Sequence, residues 1–382
     1  MLRNQNPEGR SVSMTSKRSV IHVLRTAALG DAVQMTPLLR QIRADMPDAL
    51  IRCFTSANSA ELFQDAPFVD EVISLPAKWL TRAAGSRGLV RAWLEVARHG
   101  AADVLISLEP TLRRNLGAWL CPAKQKAGIV FEGVPPLHPF THPLRCPGDP
   151  KRAVTHTSEL YLQLWTNLTS FTDRGFGCDM RHLLSRAMNT ALPTKPYVCL
   201  APGAGNAWVD LRIKRWPARS FIALGQLLME QGFHVIYVGS ARDLGEIPPP
   251  SGACDLLGKT SLTQAAHVLA SAEAMLGNDS GLFHLASSVG CPAVGMFGPT
   301  DEKLTGPFRA DNARVLRRDL PCAPCYSADC APPPEVAALG FERPCCLDAI
   351  TVQEAARAVM SLIKSDDAIS HKASHAVAMS AS

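Results

Sequence analysis

Two α/β domains, each a parallel sheet with helices on both faces and the pair facing across a cleft, are the fold this sequence predicts. Three observations lead there. Short apolar runs alternate with amphipathic helical stretches, a pattern that demands parallel sheets. The alternation halts at Leu192-Pro193-Thr194-Lys195-Pro196 and then restarts. Each half also carries a Gly-containing turn just after its first apolar run, Leu29-Gly30-Asp31 and Ala201-Pro202-Gly203-Ala204. In an open parallel sheet, that edge is where ligands bind. With 382 residues, two domains of ordinary size are the natural division.

Residues 1–18 lack periodicity and read as a disordered leader. A strand from Val20 to Leu24 opens a first Rossmann-like domain, residues 19–190. The Gly30 turn and a helix carrying Leu38, Leu39 and Ile42 follow it. Further strands are expected at 50–54, 70–75 and 103–108, with helices from Leu89 to Arg98 and from Leu112 to Leu120. Pro135 to Pro150, rich in Pro and His, reads as a long loop, and a helix from Ser158 to Leu168 closes the domain. The second Rossmann-like domain, 191–364, is expected to place strands at 197–201, 233–238, 272–276 and 292–297. Its helices are expected at 218–230, 261–270, 281–288 and 352–363. Ser261 with Gln264, and Thr351 with Glu354, have capping-box spacing. Residues 365–382 read as a mobile tail.

Hydrophobic residues make up 47% of the chain, enough for two cores. A net charge of +5 suits an acidic or phosphorylated small partner, but it is too weak and scattered to argue for nucleic acid. No apolar run is long enough to span a bilayer, and Met1 to Ser19 holds no signal-peptide core, so a cytoplasmic protein is expected. Seven of the twelve cysteines are scattered among apolar runs, as reduced buried thiols would be. The other five crowd between Cys322 and Cys346, in a loop spanning 320–347.

The most informative stretch is Gly277-Asn278-Asp279-Ser280-Gly281-Leu282-Phe283-His284, followed by Phe297-Gly298-Pro299-Thr300. It reads as strand, helix and strand, with small polar residues where a strand end meets a helix start. Asp279 and Ser280 can cap that helix or face an anion there. Two nucleotide motifs fail on inspection. Gly203-Ala204-Gly205-Asn206-Ala207-Trp208 puts Trp where a dinucleotide fingerprint needs its third glycine, and Gly258-Lys259-Thr260 lacks the P-loop's preceding glycine at the right distance. Ile213-Lys214-Arg215-Trp216-Pro217 places a cation before a helix, a good diphosphate site because point charge and helix dipole act on one anion.

Together these pieces resemble glycosyltransferase family nine, the ADP-heptose:lipopolysaccharide heptosyltransferases. The matching residues are Leu29-Gly30-Asp31 with Thr36-Pro37, Pro202-Gly203-Ala204, Lys214 with Trp216-Pro217, and Gly239. Asn278-Asp279-Ser280-Gly281 with His284, Phe297-Gly298-Pro299-Thr300 and Gly306-Pro307 complete the set, which runs from about residue 20 to 363. The resemblance implies a two-domain GT-B fold and metal-independent, inverting transfer of heptose from ADP-heptose to a lipopolysaccharide core sugar. The work would be done at the cytosolic face of the inner membrane, with peripheral membrane contact. No Asp-x-Asp pair is present to hold a divalent ion on a diphosphate, so no catalytic cofactor is expected.

Asp31 matches the family's general base, and its other reading is an N-cap for the helix it begins. The helix dipole would keep it ionised. Lys214 would take the leaving diphosphate. Gly203, Ala204, Asp279, Ser280, Gly281 and His284 match the nucleotide-sugar loops, while Asp243 and Thr260 fall where the family touches the nucleoside. Gly30 and Arg113 match the acceptor side. There Arg113 could meet an anionic lipid-linked sugar or be a solvated surface residue, and Glu109 stands where relatives often carry a neutral polar residue. Cys322, Cys325, Cys330 and Cys346, with Cys346 preferred over Cys345, suit a structural zinc or iron. Reduced thiols without metal are the alternative. Two further functions remain open: a protein or capsular glycan acceptor on the same fold, and a non-catalytic module that binds nucleotide sugar.

Overall fold

The sheets grow from strands whose alternate residues are apolar on both faces. In β1 (Val20–Arg25), Ile21 and Val23 enter one core while Leu24 enters another on the opposite face. A strand buried on both sides belongs inside a parallel sheet. This computed structural model describes residues 18–26, 28–81, 83–133, 137–146, 154–187, 196–206, 209–210 and 212–363. The expected tail lies outside those residues, as do the leader except Arg18 and the linker except Pro196.

The first sheet comprises β1, β2 (Leu50–Ser56), β3 (Glu71–Leu75), β4 (Ala102–Ser107), β5 (Ala123–Phe131) and β6 (His142–Cys146). All neighbours are parallel, in the order β3-β2-β1-β4-β5-β6. The stretch Pro135–Pro150, expected as a loop, contains the edge strand β6. Proline is tolerated at a sheet edge, where no ladder hydrogen bond depends on its missing N–H. Between β1 and β2 run α1 (Leu29–Gln34) and α2 (Thr36–Asp45), the latter with Pro37 in its first turn and Leu38, Leu39 and Ile42 buried. Then come α3 (Ala57–Ala60), α4 (Ala77–Leu80) and α5 (Gly85–Arg98). The expected helix 112–120 splits into α6 (Leu112–Asn115) and a 3₁₀ turn, Leu116–Leu120. The helix α7 (Thr157–Leu168) packs on α2, β5 and β6.

The second sheet repeats the order. It holds β7 (Tyr197–Ala201), β10 (His234–Gly239), β11 (Cys254–Leu257), β12 (Ala274–Asn278), β13 (Ala293–Met296) and β14 (Ala313–Leu316), arranged β11-β10-β7-β12-β13-β14. A minimal hairpin, β8 (Gly205–Asn206) with β9 (Val209–Asp210), follows β7. The helices are α8 (Ala218–Glu230), α9 (Leu262–Ala270), α10 (Gly281–Ser288), α11 (Glu302–Thr305), α12 (Pro334–Ala337), α13 (Cys345–Asp348) and a last helix, α14, over residues 352–363. Both predicted capping boxes form: Ser261 Oγ accepts from Gln264 N while Gln264 Oε1 accepts from Ser261 N, and Thr351 and Glu354 exchange the same pair of bonds. Each such cap stabilises its helix by about 1 kcal/mol.

One apolar cluster runs through both halves, from Ile21, Val23 and Trp165 to Cys199 and Phe283. A second lies under α8 and α14, and a third under α5. In both sheets the strand order reverses beside the first strand, between β1 and β4 and between β7 and β12. Loops leaving the carboxyl ends of those strands define a crevice. No described helix is long and apolar enough to cross a membrane.

Candidate active site

The two crevices meet through two glycines. A Cβ on Gly281, at the start of α10, would lie 2.5 Å from Leu29 Cβ, and one on Gly30, in α1, would lie 2.9 Å from His284 Cδ2. Only residues without side chains let α1 and α10 touch so closely. The turn bearing Asp31 is thereby held against the turn bearing Asp279, Ser280 and His284.

On the first-sheet side, Asp31 sits in the first turn of α1 with its side chain 31% exposed, and Arg25 Nη2 donates to its Oδ1 at 2.7 Å. Arg25 closes β1, is buried, and also donates from Nη1 to Leu108 O. Glu109, just past β4, is buried too. Its Oε1 accepts from Thr26 N (2.6 Å) and Thr26 Oγ1 (2.5 Å), and its Oε2 from Arg114 at 3.1 Å. Arg114 therefore faces the crevice, whereas the expected Arg113 is exposed. On so short a helix neighbouring residues point roughly 100° apart, and nothing in the sequence distinguishes the two arginines.

The second-sheet side is built around a buried carboxylate. Asp279 Oδ2 receives Lys214 Nζ at 2.5 Å and Thr300 Oγ1 at 2.7 Å, while His284 Nε2 lies 3.5 Å from Oδ1. Burial works to raise the Asp279 pKa, but the Lys214 ammonium and the His284 ring outweigh it and hold the carboxyl well below the usual carboxylate range. Lys214, which the sequence suggested would face a diphosphate directly, is thus anchored by Asp279. Ser280 precedes α10, and its buried Oγ has no hydrogen-bond partner among the described residues. An unpaired buried hydroxyl is costly and is satisfied when a ligand supplies the other half of the bond.

Asn278, at the end of β12, staples the surrounding loops. Its Oδ1 accepts from Trp216 N (2.8 Å), and its Nδ2 donates to Pro202 O (2.7 Å) and Gly203 O (3.3 Å). This fixes Lys214, two residues before Trp216, relative to the Gly203–Ala204 turn, and Arg215 Nε adds a bond to Ala204 O. The Asp243 carboxylate, expected near a nucleoside, packs between two glycines. A Cβ on Gly203 or Gly239 would lie 2.1 or 2.4 Å from its Oδ2, which accepts from Ser240 N. Thr260 is half-buried after β11, one residue before the Ser261 cap.

All five clustered cysteines line one cavity of about 70 Å³, with Pro299 and Ile213 in its wall. Cys330 and Cys345 sulfurs are 4.0 Å apart, and Cys346, which the sequence favoured over Cys345, is pushed up to about 12 by burial and by the neighbouring thiols. Two thiolates on one tetrahedral zinc would be about 3.8 Å apart, given bonds of about 2.3 Å, so this pair is spaced as ligands. Cys345 thereby joins the candidate set. Among the described residues, however, no group of three or more His, Cys, Asp or Glu is drawn together in ligand geometry. The cysteine loop also touches the site, because Tyr326 N donates to Pro299 O and Asp301 N donates to the Tyr326 hydroxyl.

Comparison with known proteins places this arrangement. Residues 98–334, more than half of the chain, match the model of glycosyltransferase family 9 (heptosyltransferase). Lipooligosaccharide heptosyltransferase 2 of Haemophilus influenzae is 35% identical over 137 residues, 33% of this chain and 38% of that protein. Lipopolysaccharide heptosyltransferase 2 of Escherichia coli K12 is 26% identical over 322 residues, 78% of this chain and 87% of that protein. Among solved structures, E. coli ADP-heptose lps heptosyltransferase II superposes with a TM-score of 0.64 at 20% identity, covering 91% of this chain and 99% of that one. Iron-containing, dodecameric TibC from enterotoxigenic E. coli, in complex with ADP-D-β-D-heptose, gives 0.57 at 16% identity, covering 95% and 81%. The sheets with their shared strand order, the facing crevices and the family match lead to one conclusion: the chain belongs to glycosyltransferase family 9, the heptosyltransferases.

Proposed function

We propose that this enzyme moves heptose from ADP-heptose to a sugar of the lipopolysaccharide core, by an inverting and metal-independent route. The observation that carries the reading is the contact of α1 with α10, which sets the Asp31 turn against the Asp279–His284 turn. The donor belongs on the second-sheet side. There the α10 N-terminus, the Ser280 hydroxyl and Lys214 face the diphosphate, with Gly203 and Ala204 beside them and Asp243 and Thr260 toward the nucleoside. The acceptor belongs beside Gly30 and Asp31, with Arg114, and Arg113 outside it, toward an anionic group.

In the transfer step an acceptor hydroxyl oxygen attacks the anomeric carbon of the heptose. The bond from that carbon to the diphosphate oxygen breaks on the opposite face, and the hydroxyl proton passes to the Asp31 carboxylate. Arg25, bonded to Asp31 Oδ1, leaves Oδ2 free to take the proton. Negative charge building on the departing ADP is met by Lys214 and the α10 N–H groups, which Asp279 and Asn278 hold in place before the reaction begins. A zinc or iron at the five-thiol cavity would be structural. Its ligands would come from Cys322, Cys325, Cys330 and Cys346, with Cys345 as the alternative that the Cys330 spacing adds, and it would brace the loop against Pro299.

Calorimetric titration with ADP-heptose and with UDP- and GDP-sugars tests the donor. Binding of ADP-heptose at least about tenfold tighter than the others supports the reading, and equal affinity for a UDP-sugar overturns it. Product analysis with a core acceptor then tests the transfer.

A further inference from the structure

The outer face of α5 is not the face of an ordinary surface helix. Ala92, Trp93 and Val96 point inward onto Phe54, Leu75 and Leu105. On the other side, Val90 and Leu94 are 47% and 48% exposed, one helical turn apart, beside Arg87 and Arg91. The 3₁₀ turn Leu116–Leu120 lies directly against α5: a Cβ on Gly117 would strike the Trp93 ring, and Trp93 Nε1 donates to Arg114 O. From it Leu116, Trp119 and Leu120 extend outward, each more than two-fifths exposed. Leu116 and Trp119 stack on one edge, because residues three apart eclipse in a 3₁₀ turn.

Five large apolar side chains on two touching elements make a patch rather than scattered exceptions. Its charge is one-sided. Arg98 is answered by Glu95, but no carboxylate among the described residues pairs with Arg87, Arg91 or Arg113. From this the geometry points to a docking surface for an anionic lipid bilayer, made by the outer face of α5 and the Leu116–Leu120 turn. Leucine and tryptophan enter the headgroup boundary while the arginines meet lipid phosphates. A second copy of the chain fits worse, since a two-fold contact would set these arginines against their own copies with no acidic partner.

Placement supports the assignment. Arg113, at the border of the patch, adjoins Arg114, whose guanidinium holds Glu109 and Thr26 in the first crevice. A lipid-linked acceptor could keep its acyl chains in the bilayer and present its sugar to Asp31. This step rests on the reading that the acceptor is lipid-linked.

Co-sedimentation of the full chain with vesicles of phosphatidylglycerol and phosphatidylethanolamine, against vesicles of phosphatidylcholine alone, tests it. Binding should be confined to the anionic vesicles and weaken with salt. It should fall about fivefold for each of Arg87→Ser and Arg91→Ser, and about tenfold or more for Leu94→Ser with Trp119→Ser. Melting temperature and transfer to a deacylated, soluble core acceptor should stay at wild-type values in Arg87→Ser/Arg91→Ser. If the vesicle pattern holds while no heptose is transferred to either acceptor, the docking surface stands and the proposed reaction does not. Equal binding to neutral vesicles, or variants that bind like wild type, overturns the surface. So does a dimer in light scattering that Leu94→Ser dissociates while vesicles go unbound.

Discussion

The two crevices share a strand order and a switch point, yet their charges are arranged in opposite senses. In the first, a partly exposed carboxylate, Asp31, is anchored by a buried arginine whose side chain is 7% exposed. In the second, a cation, Lys214, is anchored by a buried carboxylate, Asp279, which is 6% exposed. In each pair the buried member is the strut, and in the proposed reaction the member nearer the crevice meets the reactants. On the proposed reading, one fold supplies a proton acceptor on one side and an anion receiver on the other. The difference lies in which member of an ion pair the sequence places in the wall.

The sharpest way to break this comparison is Asp31→Asn, which removes the base while keeping its shape. Transfer by the folded variant should fall by about 10²–10⁴-fold, and near-normal steady-state turnover would remove Asp31 from the chemistry. Lys214→Ala comes next, with a loss of about 10²–10³ in kcat/KM. It also leaves the buried Asp279 carboxylate with only the Thr300 hydroxyl and His284 beside it, which costs up to about 3–5 kcal/mol of stability in denaturant titration. Adding Asp279→Asn should recover much of that stability and none of the activity. Recovery of both would make the pair a structural ion bridge only.

A smaller effect is expected at Ser280. Because its hydroxyl has no partner among the described residues, Ser280→Ala should leave the melting temperature within a degree or two, while the donor KM rises roughly tenfold. A loss of stability with unchanged KM would place the hydroxyl in the protein's own bonding.

The smallest effect concerns pH and the junction of the halves. His156, whose Nε2 bonds Gly306 O across that junction, is lowered to about 4 by burial, against the opposing effect of that bond. Its folded pKa lies below the unfolded value near 6.5, so the unfolded chain takes the proton first as pH falls. Its stabilising contribution is complete above about pH 6.5 and shrinks as pH falls toward 4. His22, buried on β1 and also lowered to about 4 by burial, adds the same slope. His156→Gln should make the melting temperature fall less steeply between those limits, leaving the share from His22, and an unchanged slope would assign the acid sensitivity elsewhere.

Much of this was legible in the chain because turn chemistry is local. Gly30, Asp31, Lys214, Asp279, Ser280, Gly281 and His284 stand where strand ends meet helix starts, and a strand followed by small polar residues reveals such a place. The central strands β1, β2, β4, β7, β10, β12 and β13 were equally visible as apolar runs. The strands β6, β11 and β14 were not. They lie at sheet edges, are four or five residues long and mix polar with apolar side chains, so burial leaves them no continuous signature. Nor was β5, whose first half reads Ala-Lys-Gln-Lys.

What escaped at the site was the set of anchors. Glu109 meets Thr26 across 83 residues, and Asn278 meets Trp216 across 62. Such pairings exist only once the sheet is assembled. Arg25, one residue beyond the strand expected from Val20 to Leu24, drew no reading, because its bonds to Asp31 and Leu108 O exist only in the folded chain.

Calorimetric affinity for ADP-heptose in Asp31→Asn and Lys214→Ala, measured side by side, tests the division of labour most directly. The account predicts that Asp31→Asn binds the donor within about twofold of wild type and that Lys214→Ala binds it at least about tenfold more weakly. Equal losses in the two variants, or a loss confined to Asp31→Asn, would contradict it.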